Sequence, residues 1–216
     1  MKKEVYTEDL AEDFLKKYVP VAKHVLVHSL DEAESAAKKI GFPLVLKIIS
    51  LDALHKSEIK GVRFVKNFEE LMHEYEELCS LAQKKKLRLR GILAQEYVEG
   101  SSVLIGLKKD PSFGHVLVFG IGGIYTELLH DVSFRVCPIT EKDADAMIQE
   151  LQMKGLLLGY RGEEKANLHL LKKTLVHISK IPLRHKEIEE MDINPFVINN
   201  KKGFVVDARI VMEKTF

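Results

Sequence analysis

The chain has 216 residues, 46% hydrophobic and 30% charged, an ordinary soluble globular composition able to bury a core as one large domain or two small lobes. Its 33 Lys and Arg against 32 Asp and Glu give a formal net charge of +1, so no global field draws in nucleic acid or an anionic membrane, and any anion site must be local. Cys79 and Cys137 form no CxxC pair and no metal-ligand spacing, the N-terminus has no apolar signal region, and residues 116–129 are too short and too glycine-broken to span a bilayer, all of which suits a reduced, cytoplasmic setting.

In chain order, residues 7–18 read as a helix with Thr7 as N-cap, and Val25, Leu26 and Val27 as a short strand. Asp31 caps a second helix whose stripe is Ala33, Ala36, Ala37 and Ile40, stopped by Gly41 and Pro43. Residues 44–49 form an apolar strand interrupted by Lys47, and a polar loop over 50–60 leads to a strand over 61–66. Residues 67–86 form a long helix whose closing Lys84, Lys85 and Lys86 suit the negative end of its dipole. Strands follow at 92–98, 103–108 and 116–121, with a turn at Asp110 and Pro111, then a glycine-rich loop and a short segment around Phe134. Helices at 141–153 and 165–178 precede a last pair of strands, 195–198 and 204–210, joined by a turn over 199–203. The alternation is not a strict βαβ rhythm, so the chain reads as α+β, with two α/β lobes, 1–98 and 99–216, and a small-molecule cleft between them.

Five places can carry chemistry. Lys47, inside an apolar strand, must reach a counter-charge or water, and a phosphate is one such counter-charge. His55, beside Lys56 and Ser57, is either a phosphoryl acceptor, imidazole being a competent nucleophile near neutral pH, or a solvated loop histidine, one of nine in the chain. Gly122 and Gly123 follow a strand, where glycine lets backbone N–H groups approach an anion; neither a phosphate-binding Walker loop nor a dinucleotide fingerprint is present, and a tight turn explains them equally. Glu127, Asp131 and Arg135, spaced by four, read as an ion-pair ladder on a helical turn. If residues 199–203 are a turn, antiparallel pairing sets Asn194 near Asp207 or Ala208, and oxygen ligands of that kind suit Mg²⁺ held against phosphates; an Asx turn and a surface aspartate are the bland alternative.

In this order, the segments Gly41-Phe42-Pro43-Leu44-Val45-Leu46-Lys47, Leu54-His55-Lys56-Ser57, Asp110-Pro111-Ser112-Phe113-Gly114, Phe119-Gly120-Ile121-Gly122-Gly123, Met191-Asp192-Ile193-Asn194-Pro195 and Val206-Asp207-Ala208-Arg209 resemble the ATP-grasp β subunit of ADP-forming acyl-CoA (acetyl-CoA) synthetases, relatives of succinyl-CoA synthetase, over nearly the whole chain. The resemblance implies an ATP-grasp fold with the nucleotide cleft between its lobes. It implies an acid–CoA ligase in which acyl-CoA, ADP and phosphate give the acid, CoA and ATP, with the phosphoryl group carried by a histidine of a partner subunit. It assigns His55 as phosphoryl acceptor and Asp192 as the residue facing the incoming phosphohistidine. Lys47, Ser50, Gly61, Gly122 and Gly123 would lie at the nucleotide phosphates, Glu96, Tyr97 and Val98 at the adenine, and Asn194 and Asp207 on Mg²⁺. It further implies ATP or ADP as nucleotide and a CoA-binding α subunit in an α2β2 heterotetramer. The chain departs from the family's pattern at Glu58 and Lys60, at Ser101 and Ser102, and at His115. Lys60 either adds positive charge at the phosphate or obstructs close approach there, and Ser102 replaces a ribose contact. These departures suit an alternative role as a non-catalytic or regulatory nucleotide-binding subunit.

Overall fold

The computed structural model describes residues 2–52, 59–122, 131–159 and 164–214. The elements begin with β1 (Lys2–Tyr6), α1 (Glu8–Leu15), β2 (His24–Val27), α2 (Leu30–Ile40), β3 (Leu44–Ile49), β4 (Val62–Val65), α3 (Phe68–Lys84) and β5 (Gly91–Glu96). They continue with β6 (Ser101–Asp110), β7 (Gly114–Ile121), β8 (Val132–Val136), α4 (Glu141–Glu150), the single turn α5 (Gly155–Leu158) and α6 (Leu168–Lys180), and end with β9 (Ile188–Ile198), β10 (Gly203–Val205) and β11 (Ala208–Lys214). Two compact units result: Ala22–Tyr97, and Met1–Val21 together with Val98–Phe216. The sequence assigns all of 1–98 to the first lobe. In the structure the first 21 residues join the other unit, because β1 pairs antiparallel with β11, Val5 opposite Val211. The strand β1 is not legible in the sequence, since its lysines and glutamate hide the alternation.

The Ala22–Tyr97 unit is an antiparallel sheet in the order β2-β5-β3-β4 with α2 and α3 on one face. Leu44, Leu46 and Ile48 point one way along β3 and are fully buried against Ala33, Ala37, Leu71 and Leu78. Burying each such leucine stabilises by roughly 1.5–3 kcal/mol. Lys47 and Ile49 therefore lie on the other face of β3, where Leu93 and Gln95 of β5 also point. The helix starts are set by side-chain oxygens: Ser29 accepts from the Glu32 N–H at 3.2 Å, and Asn67 from the Glu70 N–H at 2.9 Å. Ser29, rather than Asp31, is thus the cap of α2, and Asp31 lies in its first turn. Gly41, at φ 92°, ends that helix in a backbone region that side chains avoid.

In the other unit seven of the described strands form one antiparallel sheet, β1-β11-β9-β6-β7-β8, with β10 also on β9. Its inward residues, among them Val103, Ile105, Phe119, Ile193 and Ile210, build a core with Leu15, Met147, Leu171 and Leu175 from the helices. Thr140 and Asp143 make a reciprocal capping box at the start of α4. The ladder of Glu127, Asp131 and Arg135 does not form as expected, because Val132–Val136 is a strand and not a helical turn. Arg135 pairs with Glu150, while the buried Asp131 carboxylate accepts the N–H groups of Gln152 and Met153, each at 2.9 Å; Glu127 lies outside the described residues.

Lys86, just past the end of α3, holds φ 54°, a conformation that disfavours a side chain by roughly 1 kcal/mol. Lys86→Gly should therefore raise the free energy of urea unfolding by about 0.5–1 kcal/mol. An unchanged or lower value would show that the helix end does not bear that strain.

Candidate functional site

The sharpest geometry lies where β9 meets β11. The turn over 199–203 forms as the sequence indicates: Asn199 accepts the N–H groups of Lys201 and Lys202 at 3.0 Å. The register that follows places Ala208 opposite Ile193 and Arg209 opposite Asp192. One step further the Asn194 N–H donates to the Asp207 carbonyl at 3.1 Å. Because side chains alternate, Glu190, Asp192 and Asn194 leave β9 on the face away from the core, while Met191 and Ile193 enter it. Asp207 and Arg209 stand opposite them. The expected neighbourhood of Asn194 and Asp207 is thus present.

That face is electrostatically loaded. Burial, then the neighbouring Asp207 and Glu190 carboxylates, push the Asp192 carboxyl up to about 6, with Arg209 acting the other way. Glu190 is tied to Lys108 at 2.6 Å and more loosely to Arg209 at 3.7 Å, and Arg209 Nε is buried with no hydrogen-bond partner. Among the described residues no group of three or more His, Cys, Asp or Glu side chains could hold a metal by itself. An amide oxygen beside mutually repelling carboxylates nevertheless fits a hard divalent cation that takes one or two protein oxygens and fills its octahedron with phosphate and water. Sequence reasoning missed Glu190 and Arg209; the period of two along Glu190, Asp192 and Asn194 was the signal that could have found them.

The other expected residues are placed as follows. Lys47 is only 7% exposed on the sheet face without helices, and Ser50, equally buried, accepts the Asp52 N–H at 3.1 Å. The Gly61 carbonyl accepts the Ile48 N–H at 2.9 Å. Lys60 before it holds φ 57°, so a side chain stands in a backbone conformation that glycine adopts more readily. The N–H groups of Glu96 and Tyr97 are bonded to the carbonyls of Lys23 and Pro43 at 2.8 and 3.4 Å, and the Tyr97 ring meets Phe64 edge-on. Val98 is buried. Gly122 donates its N–H to the Ser102 carbonyl at 2.8 Å, so that amide is not an open anion donor. A Cβ there would lie 3.0 Å from the Ser102 carbonyl carbon, a tight contact. His55 and Gly123 lie outside the described residues.

A model of the ATP-grasp domain family matches residues 1–212. The chain is an ATP-grasp protein of the ADP-forming acetate–CoA ligase family. It is 42% identical over 211 residues to subunit beta of acetate–CoA ligase [ADP-forming] II of Pyrococcus furiosus, covering 94% of this chain and 89% of that subunit. It is 39% identical over 197 residues to acetate–CoA ligase [ADP-forming] I of Archaeoglobus fulgidus, covering 90% of this chain but 29% of that longer protein. Among solved structures, acetyl-coenzyme A synthetase 1 of Ca. Korarchaeum cryptofilum, in complex with coenzyme A and Ca-AMPCP, superposes with a TM-score of 0.94 at 39% identity, over 97% of this chain and 94% of that one. A second structure of that enzyme, holding coenzyme A and Mg-AMPPCP with its phosphohistidine segment pointing towards the nucleotide site, gives 0.84 at 38% identity, over 97% and 93%. The ATP-grasp fold expected from the sequence is therefore shown.

The raised Asp192 has a consequence for stability. Its folded carboxyl binds a proton more tightly than the ordinary 3.8, so folding loses stability as pH rises from about 4 through about 6, by at most about 3 kcal/mol. Without divalent cations, Asp192→Asn should melt higher than the parent at pH 8 and equally at pH 3.5. An equal melting temperature at both pH values would show that burial and the neighbouring carboxylates do not penalise the Asp192 charge.

Proposed function

We propose that this chain is the nucleotide-binding subunit of a cytoplasmic ADP-forming acyl-CoA synthetase, passing a phosphoryl group between a phosphohistidine and ADP or ATP. The observation that carries the proposal is the pairing of Asn194 with Asp207 beside the repelled Asp192 carboxylate, in a chain whose similar proteins are subunits or segments of acetate–CoA ligases. Asn194 and Asp207 would hold Mg²⁺, which supplies charge neutralisation at the phosphates. Lys47 and Ser50, with the backbone at Gly61, Gly122 and Gly123, would border the phosphates, and Glu96, Tyr97 and Val98 the base. The amides of Glu96 and Tyr97 are bonded within the protein, and Glu96 Oε2 accepts the Lys23 N–H at 3.4 Å.

The chemistry assigned to the chain's own residues is a relay. A ring nitrogen of His55 attacks phosphorus, a P–N bond to the partner's phosphohistidine breaks as the P–N bond to His55 forms, and a terminal oxygen of ADP then takes the phosphoryl group as that second P–N bond breaks. Asp192 faces the incoming phosphohistidine and orients its imidazole. The partner is a CoA-binding α subunit, assembled as α2β2. No helix among the described residues is long and apolar enough to cross a membrane.

Millimolar Mg-ADP should raise the melting temperature of the chain, since a ligand that binds only the folded state stabilises it. Asp207→Asn should remove most of the magnesium-dependent part of that rise. A shift indifferent to both magnesium and Asp207 would overturn the metal assignment. With a matched α subunit, His55→Ala should lower ATP formation by at least about 100-fold, a loss of the size expected for an essential nucleophile. Full activity of that variant would end the relay.

A further inference from the structure

The face of the seven-stranded sheet opposite its core carries a row of residues that the candidate metal site leaves unused. Pairing sets Arg209 of β11 opposite Asp192 of β9, Asp192 opposite Gly106 of β6, Gly106 opposite Val118 of β7, and Val118 opposite Phe134 of β8. Directly paired residues share a face. Ile105, Leu107, Leu117, Phe119 and Ile193, at the alternate positions, enter the core, so the row lies on the outer face. The next row reads Val211, Glu190, Lys108, Val116 and Val136. There the Lys108 ammonium holds the Glu190 carboxylate at 2.6 Å across two strands. In the first row the middle position, Gly106, presents no side chain at all.

Nothing within the fold asks for glycine at 106. The residue is not in a left-handed conformation, and a Cβ built on it would meet the Met191 carbonyl oxygen and the Val118 Cβ at 3.6 Å, an ordinary contact. The irregularity in the β6–β9 pairing lies between Val103 and Ile105, while Gly106 pairs regularly on both sides. A glycine inside a strand weakens it, and where no bulge explains it, it marks a place where a ligand or another backbone comes close. The gap at Gly106 is a trough between Asp192 and Val118, closed along the strands on one side by the Lys108–Glu190 pair. Past Val118 the face is apolar and open, with Phe134 55% and Val136 50% exposed. The two ends of the row therefore suit different parts of one occupant. A carboxylate at Asp192 accepts an N–H and repels a free anion, and the strip of Val118, Phe134 and Val136 suits an apolar side chain. Three strand spacings separate Asp192 from Phe134, roughly 14 Å, which is the reach of about four extended residues.

We propose that this row is the docking floor for the phosphohistidine segment of the partner subunit. The backbone of the segment crosses β6 over Gly106, Asp192 accepts an imidazole N–H, and an apolar side chain of the segment rests on Val118, Phe134 and Val136. Gly106 is a positioning residue: its missing side chain sets how near the phosphohistidine comes to the nucleotide held at Asn194 and Asp207. The inference rests on the reading of this chain as the one that takes a phosphoryl group from a partner's phosphohistidine. Over the whole transfer the P–N bond on the partner breaks and a P–O bond to the terminal oxygen of ADP forms, whichever residue carries the group between them.

The test uses the complex with a matched α subunit, its histidine labelled from acyl-CoA and radioactive phosphate, then mixed with saturating Mg-ADP. Gly106→Ala, Gly106→Val and Gly106→Leu should pass label to ADP progressively more slowly. Gly106→Leu should fall at least about tenfold below wild type, because misplacement by an ångström forfeits the near-attack geometry. All three should keep the apparent Kd for Mg-ADP within about twofold and melt no lower than wild type, since each replaces a glycine in mid-strand. Phe134→Ser, which leaves the core untouched, should slow the transfer about fivefold, the loss of one apolar contact. A wild-type rate in either Gly106→Leu or Phe134→Ser would overturn the docking floor. Loss of Mg-ADP affinity in step with side-chain size would overturn it too, by putting the nucleotide itself over Gly106. Where Gly106→Leu melts below wild type, Gly106→Val is read in its place. Absence of label on ADP with the wild-type chain would overturn the functional reading, and the docking floor with it.

Discussion

The candidate metal site depends on the antiparallel register of β9 and β11, in which the N–H of Asn194 bonds the carbonyl of Asp207. A slip of one residue between β9 and β11 would turn Asp207 and Arg209 into the core and bring Ala208 and Ile210 to the outer face. Burial forbids this: Ile193, Ile210 and Met191 are essentially inaccessible, so the apolar alternation of both strands locks the pairing that brings the polar residues together. The turn over 199–203 acts in the same sense, since the Asn199 side chain occupies two of its amides and Gly203 sits where a Cβ would strike the Phe196 ring.

Charge is arranged to suit that register. Glu190, Asp192 and Asp207 crowd one face, where Lys108 and Arg209 both reach Glu190. A protein that keeps a carboxyl near 6 in this way sacrifices stability at neutral pH, and a bound divalent cation would relieve the same repulsion. In the unit Ala22–Tyr97 the logic is complementary. Its helices cover one sheet face with leucine, isoleucine and alanine, and Lys47 and Ser50 are left to the end and the other face of β3.

Much of this was readable beforehand. The hairpin, the long helix over 68–84 and the pairing of Asn194 with Asp207 follow from turn residues and from periods of two and 3.6. What misled were contacts that local sequence does not record. Residues 1–21 joined the second unit because β1 completes the edge beside β11, a partner some 200 positions away. The spacing of Glu127, Asp131 and Arg135 suggested a helix, yet Arg135 entered a strand that pairs with β7, and tertiary pairing overrode the pattern. Gly122 looked like an anion donor, but its amide is consumed by Ser102 of the neighbouring strand.

By itself the sequence determined which residues are chemically able to act, because an ordered set of motifs from Lys47 to Asp207 specifies side-chain types and spacing along the chain. Only the tertiary structure decided which of them meet. The repulsion at Asp192 and the loose contact of Glu190 with Arg209 arise between residues of two strands. Such residues are distant in sequence, and packing a core on the opposite face of the sheet is what sets them side by side.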